Sequence, residues 1–402
     1  MNNRAQNYRW VILAVISFAI FVPNYAQYQL SPIAGDMMTS YKLTAGEFTS
    51  VYTAPMTLAI IFSLLSGVIS DKMGVRQVLI AGFIVSAAGL CWRVYTNSYM
   101  PLYLSMILAG CGAAFLNANS GKIIGSWFPA EKVGTMMGIY LAFSTLDMAV
   151  GIGTTAMLPG IHTVFVITAV LGVAAAIVCI LFMKNTPSEK PQQDVPGVSV
   201  TESLKVVVRN RSIWIMAFCL VGIMVNTVLL TSFLPTALTA EGTDSVTAGL
   251  FSSIMTIGSL CGAIFMPVLA GKLGSNKPLM IGACVVGGIG SCFSWLAPVG
   301  PVLGICLFIT GFCISGLMPL LMSLPVQLPG IGPKYAGTAG GFTSTLQLLG
   351  AVVLPTYVFV PLAGGNFNTL FMYAGGAMVV VAVLAFFLPD TAKMAGQAAQ
   401  AM

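Results

Sequence analysis

The sequence has little charge and almost no histidine. Only 7% of its 402 residues are Asp, Glu, Lys or Arg, whereas a soluble domain carries about 25%. So few charges cannot cover a water-soluble surface, which excludes a soluble globular protein. The single histidine, His162, stands in the turn LPGIHTV. The sequence also has no Walker-type loop, no nucleotide-binding pattern and no nucleophile elbow. These absences argue against an ATPase or another enzyme, and we predict no catalytic residue.

Metal-ligand patterns are missing as well. The nine cysteines lie almost entirely in apolar segments, without CxxC or metal-ligand spacing. We interpret them as small hydrophobic residues with free thiols. We therefore predict no metal and no cofactor, and nothing indicates a nucleic-acid partner.

Apolar residues make up 57% of the chain and form long runs. A helix needs about 20 apolar residues to cross the hydrocarbon core of a bilayer. The fold class predicted is an all-α integral membrane protein with twelve transmembrane helices. The predicted spans, numbered one to twelve, are 10–31, 47–69, 77–96, 99–124, 134–158, 161–183, 211–238, 246–270, 279–297, 301–324, 336–358 and 367–388.

The basic residues orient these spans. Fourteen of the seventeen Lys and Arg residues fall on one side when both termini are placed there. Because cytoplasmic loops carry the excess of Lys and Arg, we predict a plasma (inner) membrane protein, a monomer in the lipid bilayer, with both termini cytoplasmic. The predicted domains are an N-terminal bundle (1–183), a polar cytoplasmic linker (184–210), a C-terminal bundle (211–390) and a cytoplasmic tail (391–402).

The two halves share a register of 200 residues. GVISDKMGVRQ (67–77) follows span two and PVLAGKLGSNK (267–277) follows span eight, with Lys and Gly at matching positions. The same offset places STLD (144–147) on STLQ (344–347). Two matches at one offset predict two pseudo-symmetric six-helix bundles that arose by duplication.

The segment GVISDKMGVR resembles the loop 2–3 signature of the major facilitator superfamily. The matching residues are Gly67, Asp71, Lys72, Gly74 and Arg76. The resemblance covers the whole chain and implies alternating access, in which two bundles rock about a central site. The alternative is that these loop charges only determine topology.

A second segment, GSWFPAEKVG (125–134), resembles two branches of that superfamily. One is the nitrate/nitrite and cyanate porters, and the other is the choline and haem transporters related to the feline leukaemia virus receptor. In the second branch, glutamines midway along spans five and eleven help to form the substrate site. Gln347 matches one of them, whereas the other position holds Leu146 or Asp147. This departure weakens the inference of that branch's substrate.

Asp147 is the most informative residue. It lies about 20 Å along span five from Gly134, at ~1.5 Å per residue, which is near the middle of a core of about 30 Å. An aspartate at that depth costs about 2.5–3.5 kcal/mol and is too short to reach the headgroups. We predict a substrate counter-ion or proton carrier. The alternative is a protonated acid that links two helices.

Other polar residues complete a predicted central site. Gln347 has the register of Asp147 in the other half, and Asn24 and Asn226 stand midway along spans one and seven. These asparagines bind substrate or link helices.

Aromatic residues accompany them. Tyr25 and Tyr28 share one helix face and, with Tyr52 and Asp147, predict an aromatic cage for an ammonium group. An interfacial aromatic belt is the alternative.

Two cations lie near span ends. Arg93 is near the outer end of span three and Lys122 near the inner end of span four. We expect both to snorkel to the headgroups, and contact with a substrate anion is the alternative. The middles of spans seven to twelve contain no Lys, Arg or His, which argues against nitrate or dicarboxylates.

These residues predict a secondary transporter for a small polar organic solute, cationic or zwitterionic, coupled to protons through Asp147. An anion porter that uses Arg93 and Lys122 is one alternative. A drug/proton antiporter is another, although Met106 stands where that group has an arginine, and span five lacks its Gly-Pro motif. A non-transporting membrane receptor is the third. Transport direction cannot be inferred from these residues.

Overall fold

The computed structural model describes residues 3–128, 130–184, 200–273, 275–322, 324–328 and 331–389. Within these ranges the regular structure is helical and contains no strand. A short 3-10 turn (Ser294–Leu296) and a π-helical stretch (Pro355–Phe359) interrupt the later helices. The α-helices are α1 (Asn3–Tyr28), α2 (Ala34–Ser40), α3 (Ala45–Met73), α4 (Val75–Arg93), α5 (Tyr99–Ala109), α6 (Cys111–Trp127), α7 (Ala130–Thr155), α8 (Gly160–Phe182), α9 (Val200–Arg209), α10 (Arg211–Ala240), α11 (Ser245–Leu273), α12 (Lys277–Phe293), α13 (Pro301–Met322), α14 (Leu324–Gln327), α15 (Gly332–Leu354), α16 (Val360–Ala363) and α17 (Phe367–Phe386).

Ten helical segments among the described residues are long and apolar enough to cross a membrane. They coincide with ten of the twelve predicted spans. The second and fifth predicted spans lie in α3 and α7, continuous helices of 29 and 26 residues that are not among those ten. The all-helical membrane fold is therefore confirmed, whereas the count of twelve spans remains a prediction.

Local capping explains where α3 begins and ends. The Thr44 hydroxyl accepts a hydrogen bond from the Glu47 backbone N–H at 3.2 Å, and the Glu47 carboxylate accepts one from the Thr44 N–H at 2.8 Å. This capping box satisfies two N–H groups that would otherwise lack partners. At the other end Gly74 has a φ of +83°, a conformation that other residues adopt only with strain. The loop signature therefore contains the turn that joins α3 to α4.

The chain divides into two compact units. The first comprises residues 1–191 and 244–250, and the second comprises 192–243 and 251–402. In the first unit α1 packs against α7 and α8, and α4 packs against α8 and α5. In the second unit α10 packs against α15 and α17, and α12 packs against α17 and α13. The same four span pairings thus recur in both units, as a duplication of six spans predicts.

The predicted linker contains a helix that its polar composition did not indicate. Residues 200–209 form α9, and one residue, Asn210, separates it from α10. Residues 185–199 and the predicted tail 391–402 lie outside the described part of the chain. The predicted domain boundaries therefore remain predictions.

Candidate functional site

Asp147 lies on α7 and is fully buried, with 0% of its surface exposed. The Asn24 side-chain amide on α1 donates a hydrogen bond to Asp147 Oδ2 at 2.8 Å. Asp147 Oδ1 has no hydrogen-bond partner among the described residues. The predicted site residues Asn24 and Asp147 are therefore in direct contact, and Asp147 Oδ1 is available to accept a further hydrogen bond.

A second contact joins the same two helices. The Tyr25 and Thr154 hydroxyls are 3.1 Å apart and share a hydrogen bond. Between these contacts α7 carries Gly151, where an added Cβ would lie 3.2 Å from Tyr28 Cβ. Because Gly151 has no side chain, α1 and α7 approach closely enough for both polar contacts to form.

The predicted aromatic residues do not all meet in one group. The rings of Tyr28 and Tyr52 make an edge contact at 6.2 Å between centroids. Tyr25 instead stacks on Phe21 at 5.4 Å and 14°. Both Tyr25 and Tyr52 are buried. The rings thus form two separate pairs, and a closed cage around an ammonium group remains a prediction.

Two further polar residues on α7 were not identified from the sequence. Tyr140 is buried, and its hydroxyl donates to Asn117 Oδ1 at 2.7 Å, while Thr154 contacts Tyr25 as described. Tyr140, Asp147 and Thr154 are spaced seven residues apart, so they follow one face of α7 over four turns. That heptad spacing of polar residues in an apolar helix was the signal available.

In the second unit the predicted polar residues have different surroundings. Asn226 is fully buried, and its amide donates to Ser291 Oγ and to the Ala374 carbonyl, both at 2.8 Å. These bonds tie α10 to α12 and α17, which is what a helix-linking asparagine does. Gln347 is buried in α15, with 4% exposed. Participation of Asn226 and Gln347 in a central site stays a prediction.

The expectation that Arg93 snorkels to the headgroups is wrong. Arg93 is 0% exposed, and its guanidinium donates to the Ala26 carbonyl at 3.0 Å and to the Thr168 hydroxyl. It also lies 4.2 Å from the centroid of the Phe165 ring, a cation–π contact. Neighbouring helices α1 and α8 enclose this side chain, and its contact with a solute anion stays a prediction.

Lys122 lies on α6 and is half-buried. Its contact with a solute anion, like its snorkelling to the headgroups, stays a prediction. His162 is exposed at the start of α8.

Of the loop signature, Gly74 and Arg76 are described. The surroundings of Gly67 and the side chains of Asp71 and Lys72 lie outside the described part of the chain. Arg76 Nε donates to the Met183 carbonyl at 2.6 Å. Met183 is the C-cap residue that directly follows α8, so a cation lies at a helix C-terminus, where the helix dipole favours positive charge.

The described residues contain no group of three or more His, Cys, Asp or Glu that could hold a metal ion. The nine cysteines are free thiols. The side chains at the α1–α7 contact supply amide, carboxyl and hydroxyl groups: Asn24, Tyr25, Tyr28, Asp147 and Thr154. Such groups can hydrogen-bond a polar solute.

The model of the Major Facilitator Superfamily matches residues 11–355, most of the chain. The chain belongs to this superfamily. The superfamily membership predicted from the 67–76 loop is thereby confirmed, and the branch within the superfamily is not resolved. Membership also shows a membrane transporter and not an enzyme.

Curated relatives match over nearly their whole length. The chain is 21% identical to a probable sulfoacetate transporter of Cupriavidus necator, covering 94% of each chain. It is 21% identical to a hexuronate transporter of Bacillus subtilis, covering 92% of each. It is also 21% identical to a probable galactarate/D-glucarate transporter of the same species, covering 94% of this chain and 91% of that one.

Solved structures show the same fold. A nucleoside transporter has a TM-score of 0.74 at 16% identity, covering 93% of this chain and 98% of that one. A D-xylose-proton symporter also has a TM-score of 0.74 at 16% identity, covering 96% and 99%. At these identities the likeness establishes the superfamily fold and leaves the solute to be inferred from the site.

Proposed function

We propose that this superfamily member is a secondary active transporter of a small polar organic solute, which hydrogen-bonds to the Asn24–Asp147 pair. The observation that carries the proposal is the buried carboxyl of Asp147, with Oδ2 bonded to Asn24 and Oδ1 without a partner in the described part of the chain. A buried polar atom without a partner costs about 1–3 kcal/mol. A solute that donates a hydrogen bond to Oδ1 would remove that cost.

The groups around Asp147 favour a solute with donors. A carboxylate accepts hydrogen bonds and attracts a cation, and the faces of aromatic rings, such as those of the predicted cage residues Tyr25 and Tyr52, attract an ammonium group. Hydroxyl or ammonium groups on the solute would satisfy both features. We therefore retain a cationic or zwitterionic solute as the first choice.

Proton coupling would follow from the same carboxyl group. A carboxylic acid in a water-excluded site can exchange its proton for a hydrogen-bonding or cationic solute. Alternating access, in which the two predicted bundles open in turn to either side, would then couple the solute to the proton gradient. The helix-linking role is the competing explanation, because a helix-linking acid would make the same bond to Asn24.

The relatives favour a second candidate, a small organic anion. Three of them are described as transporters of sulfoacetate, hexuronate and galactarate/D-glucarate. Sugar acids carry several hydroxyl groups, which could donate to Asp147 Oδ1, and Lys122 would be the cation, as one of the two anion-contact candidates. Arg93 is enclosed and does not suit this role.

Counterflow in proteoliposomes tests both candidates. The panel contains choline, glycine betaine, glucuronate and sulfoacetate, each measured with and without a pH gradient. We expect Asp147→Asn to abolish acceleration by the pH gradient, because the amide cannot carry a proton. Asp36→Asn is the matched control, since it makes the same chemical change at an exposed position on α2.

The outcomes separate the hypotheses. Loss of choline or betaine flux in Asp147→Asn supports a cationic or zwitterionic solute. Flux of glucuronate or sulfoacetate alone supports the anion candidate. Wild-type flux and an unchanged response to pH in Asp147→Asn would show that Asp147 only links α1 to α7.

A further inference from the structure

Helix α9 is amphipathic, and its faces differ in surroundings. At about 100° per residue, Leu204 and Val208 share one side of the helix, and Lys205 and Arg209 share the next. Val207 lies on the flank of Leu204 opposite to the two cations. Around the helix, Val207 therefore comes first, the apolar pair Leu204 and Val208 comes next, and the basic pair Lys205 and Arg209 follows.

Burial follows this order. Val207 is 0% exposed, and α9 packs against α15 and α10 of the same unit. Leu204 and Val208 are 42% and 41% exposed, and Lys205 and Arg209 are exposed as well. The helix therefore presents an exposed apolar stripe between its protein contact and its charged side.

The apolar stripe continues onto a membrane-spanning helix. The Trp214 indole N–H on α10 donates to the Val208 carbonyl at 2.8 Å. The ring of Trp214 lies 6.1 Å from that of Phe218, which is 53% exposed. Helix α10, residues 211–240, is long and apolar enough to cross a bilayer, so the exposed apolar side chains of α10 face lipid. Tryptophan is enriched where such helices leave the hydrocarbon.

The exposed cations lack protein partners in the part of the chain that the structure describes. No ion pair or ring contact holds Lys205 or Arg209 there, and Arg211 adds a third exposed cation at the start of α10. Glu202 is the one acid between residues 200 and 211; its side chain lies outside the described set. Three basic residues against one acid favour an anionic partner.

We propose that α9 lies in the membrane interface beside α10 and binds anionic phospholipid headgroups through Lys205 and Arg209. Leu204 and Val208 insert at the boundary of the acyl chains, while Val207 holds the helix on the protein. Interfacial helices with apolar and basic faces bind anionic bilayers in this manner. The lipid is favoured over a protein partner because the stripe is continuous with a surface that already faces the bilayer.

Lipid titration of the full chain in detergent tests the proposal. The melting temperature is measured against added phosphatidylglycerol, with phosphatidylcholine as the zwitterionic comparison. We expect stabilisation by phosphatidylglycerol alone. Each basic residue near an anionic surface strengthens binding by about fivefold, so Lys205→Gln/Arg209→Gln raises the half-saturating lipid concentration by ~25-fold. Lys42→Gln, an exposed lysine elsewhere, leaves the response unchanged.

Further arms identify the source of the anion and the role of the apolar stripe. Soluble glycerol 3-phosphate is expected to give no shift, and a shift equal to that of the lipid would overturn the proposal. Leu204→Asn/Val208→Asn keeps both cations and is expected to weaken the response to phosphatidylglycerol. An unchanged response in this variant, or in the double Gln variant, would also overturn it. Size-exclusion chromatography verifies that each variant is folded.

Discussion

The hydrogen bond between Asn24 and Asp147 predicts a measurable energetic coupling between α1 and α7. The perturbation is a double-mutant cycle with Asn24→Ala and Asp147→Ala, each alone and both together. In Asn24→Ala the buried carboxyl loses its one observed side-chain partner. The single variant therefore pays for an unsatisfied group, whereas the double variant removes both groups.

The structure sets the magnitude. The donor–acceptor distance of this bond is 2.8 Å, which is close to optimal, and Asp147 is fully buried. Asn24→Ala should cost about 1–3 kcal/mol, the penalty for an orphaned buried polar group. Coupling between hydrogen-bonded side chains in membrane helices averages about 0.6 kcal/mol and reaches ~1.7 kcal/mol. Bonds to an ionised group contribute about 1.5–3 kcal/mol, so a coupling above ~1.7 kcal/mol would indicate an ionised carboxylate.

Reversible unfolding in mixed detergent micelles measures the four free energies of unfolding. A neutral pair between the same two helices is the matched control: Tyr25→Phe with Thr154→Val removes the hydroxyl contact at 3.1 Å. The Thr154 hydroxyl also donates to the Val150 carbonyl at 2.6 Å, so Tyr25→Phe leaves no orphaned group. The control coupling should be about 0.6 kcal/mol.

A coupling between Asn24 and Asp147 that is zero within error would refute this reasoning. It would mean that the carboxyl finds another partner of equal strength once the amide is removed. The carboxyl would then not depend on Asn24, and the proposal that the two residues form one binding pair would lose its basis.

Two further predictions concern packing and capping. Gly262→Ala should lower the free energy of unfolding by at least 2 kcal/mol, on the order of an overpacked core substitution, because the added Cβ would overlap the Phe312 backbone. The control Gly282→Ala places its Cβ in open space and should not lower the free energy of unfolding. Unfolding in detergent measures both, and equal effects would contradict the packing argument. Arg76→Gln should lower the free energy of unfolding by about 1 kcal/mol, since the Met183 carbonyl loses its cationic cap. An unchanged free energy of unfolding, or a loss in Arg76→Lys as large as that in Arg76→Gln, would contradict the role of Arg76 as a cap.

The membrane-spanning helices were largely predictable, and the reason is physical. A segment that crosses lipid must satisfy its own backbone hydrogen bonds and expose apolar side chains, so long apolar runs predict both its position and its helical state. Helix α9 escaped this logic. Its ten residues are too short and too polar to cross a membrane, and the polar segment around it suggested only a linker.

The fate of Arg93 shows where depth along a helix is insufficient. Its distance from the end of the span predicted that it would reach the headgroups. Whether a side chain meets lipid or protein depends instead on the direction in which it points and on the helices that pack there. Ala26 and Thr168, contributed by α1 and α8, enclose the guanidinium, and neither is near Arg93 in the sequence.

The sequence by itself determined the membrane class, the superfamily loop and the unusual position of Asp147, because each follows from composition or from residues close together in the chain. Only the tertiary structure decided that Asp147 meets Asn24, 123 residues away, while Asn226 links three helices of its own unit. Helix packing selects such partners from many polar residues of equal depth, and a one-dimensional register carries no information on the angle at which two helices face each other.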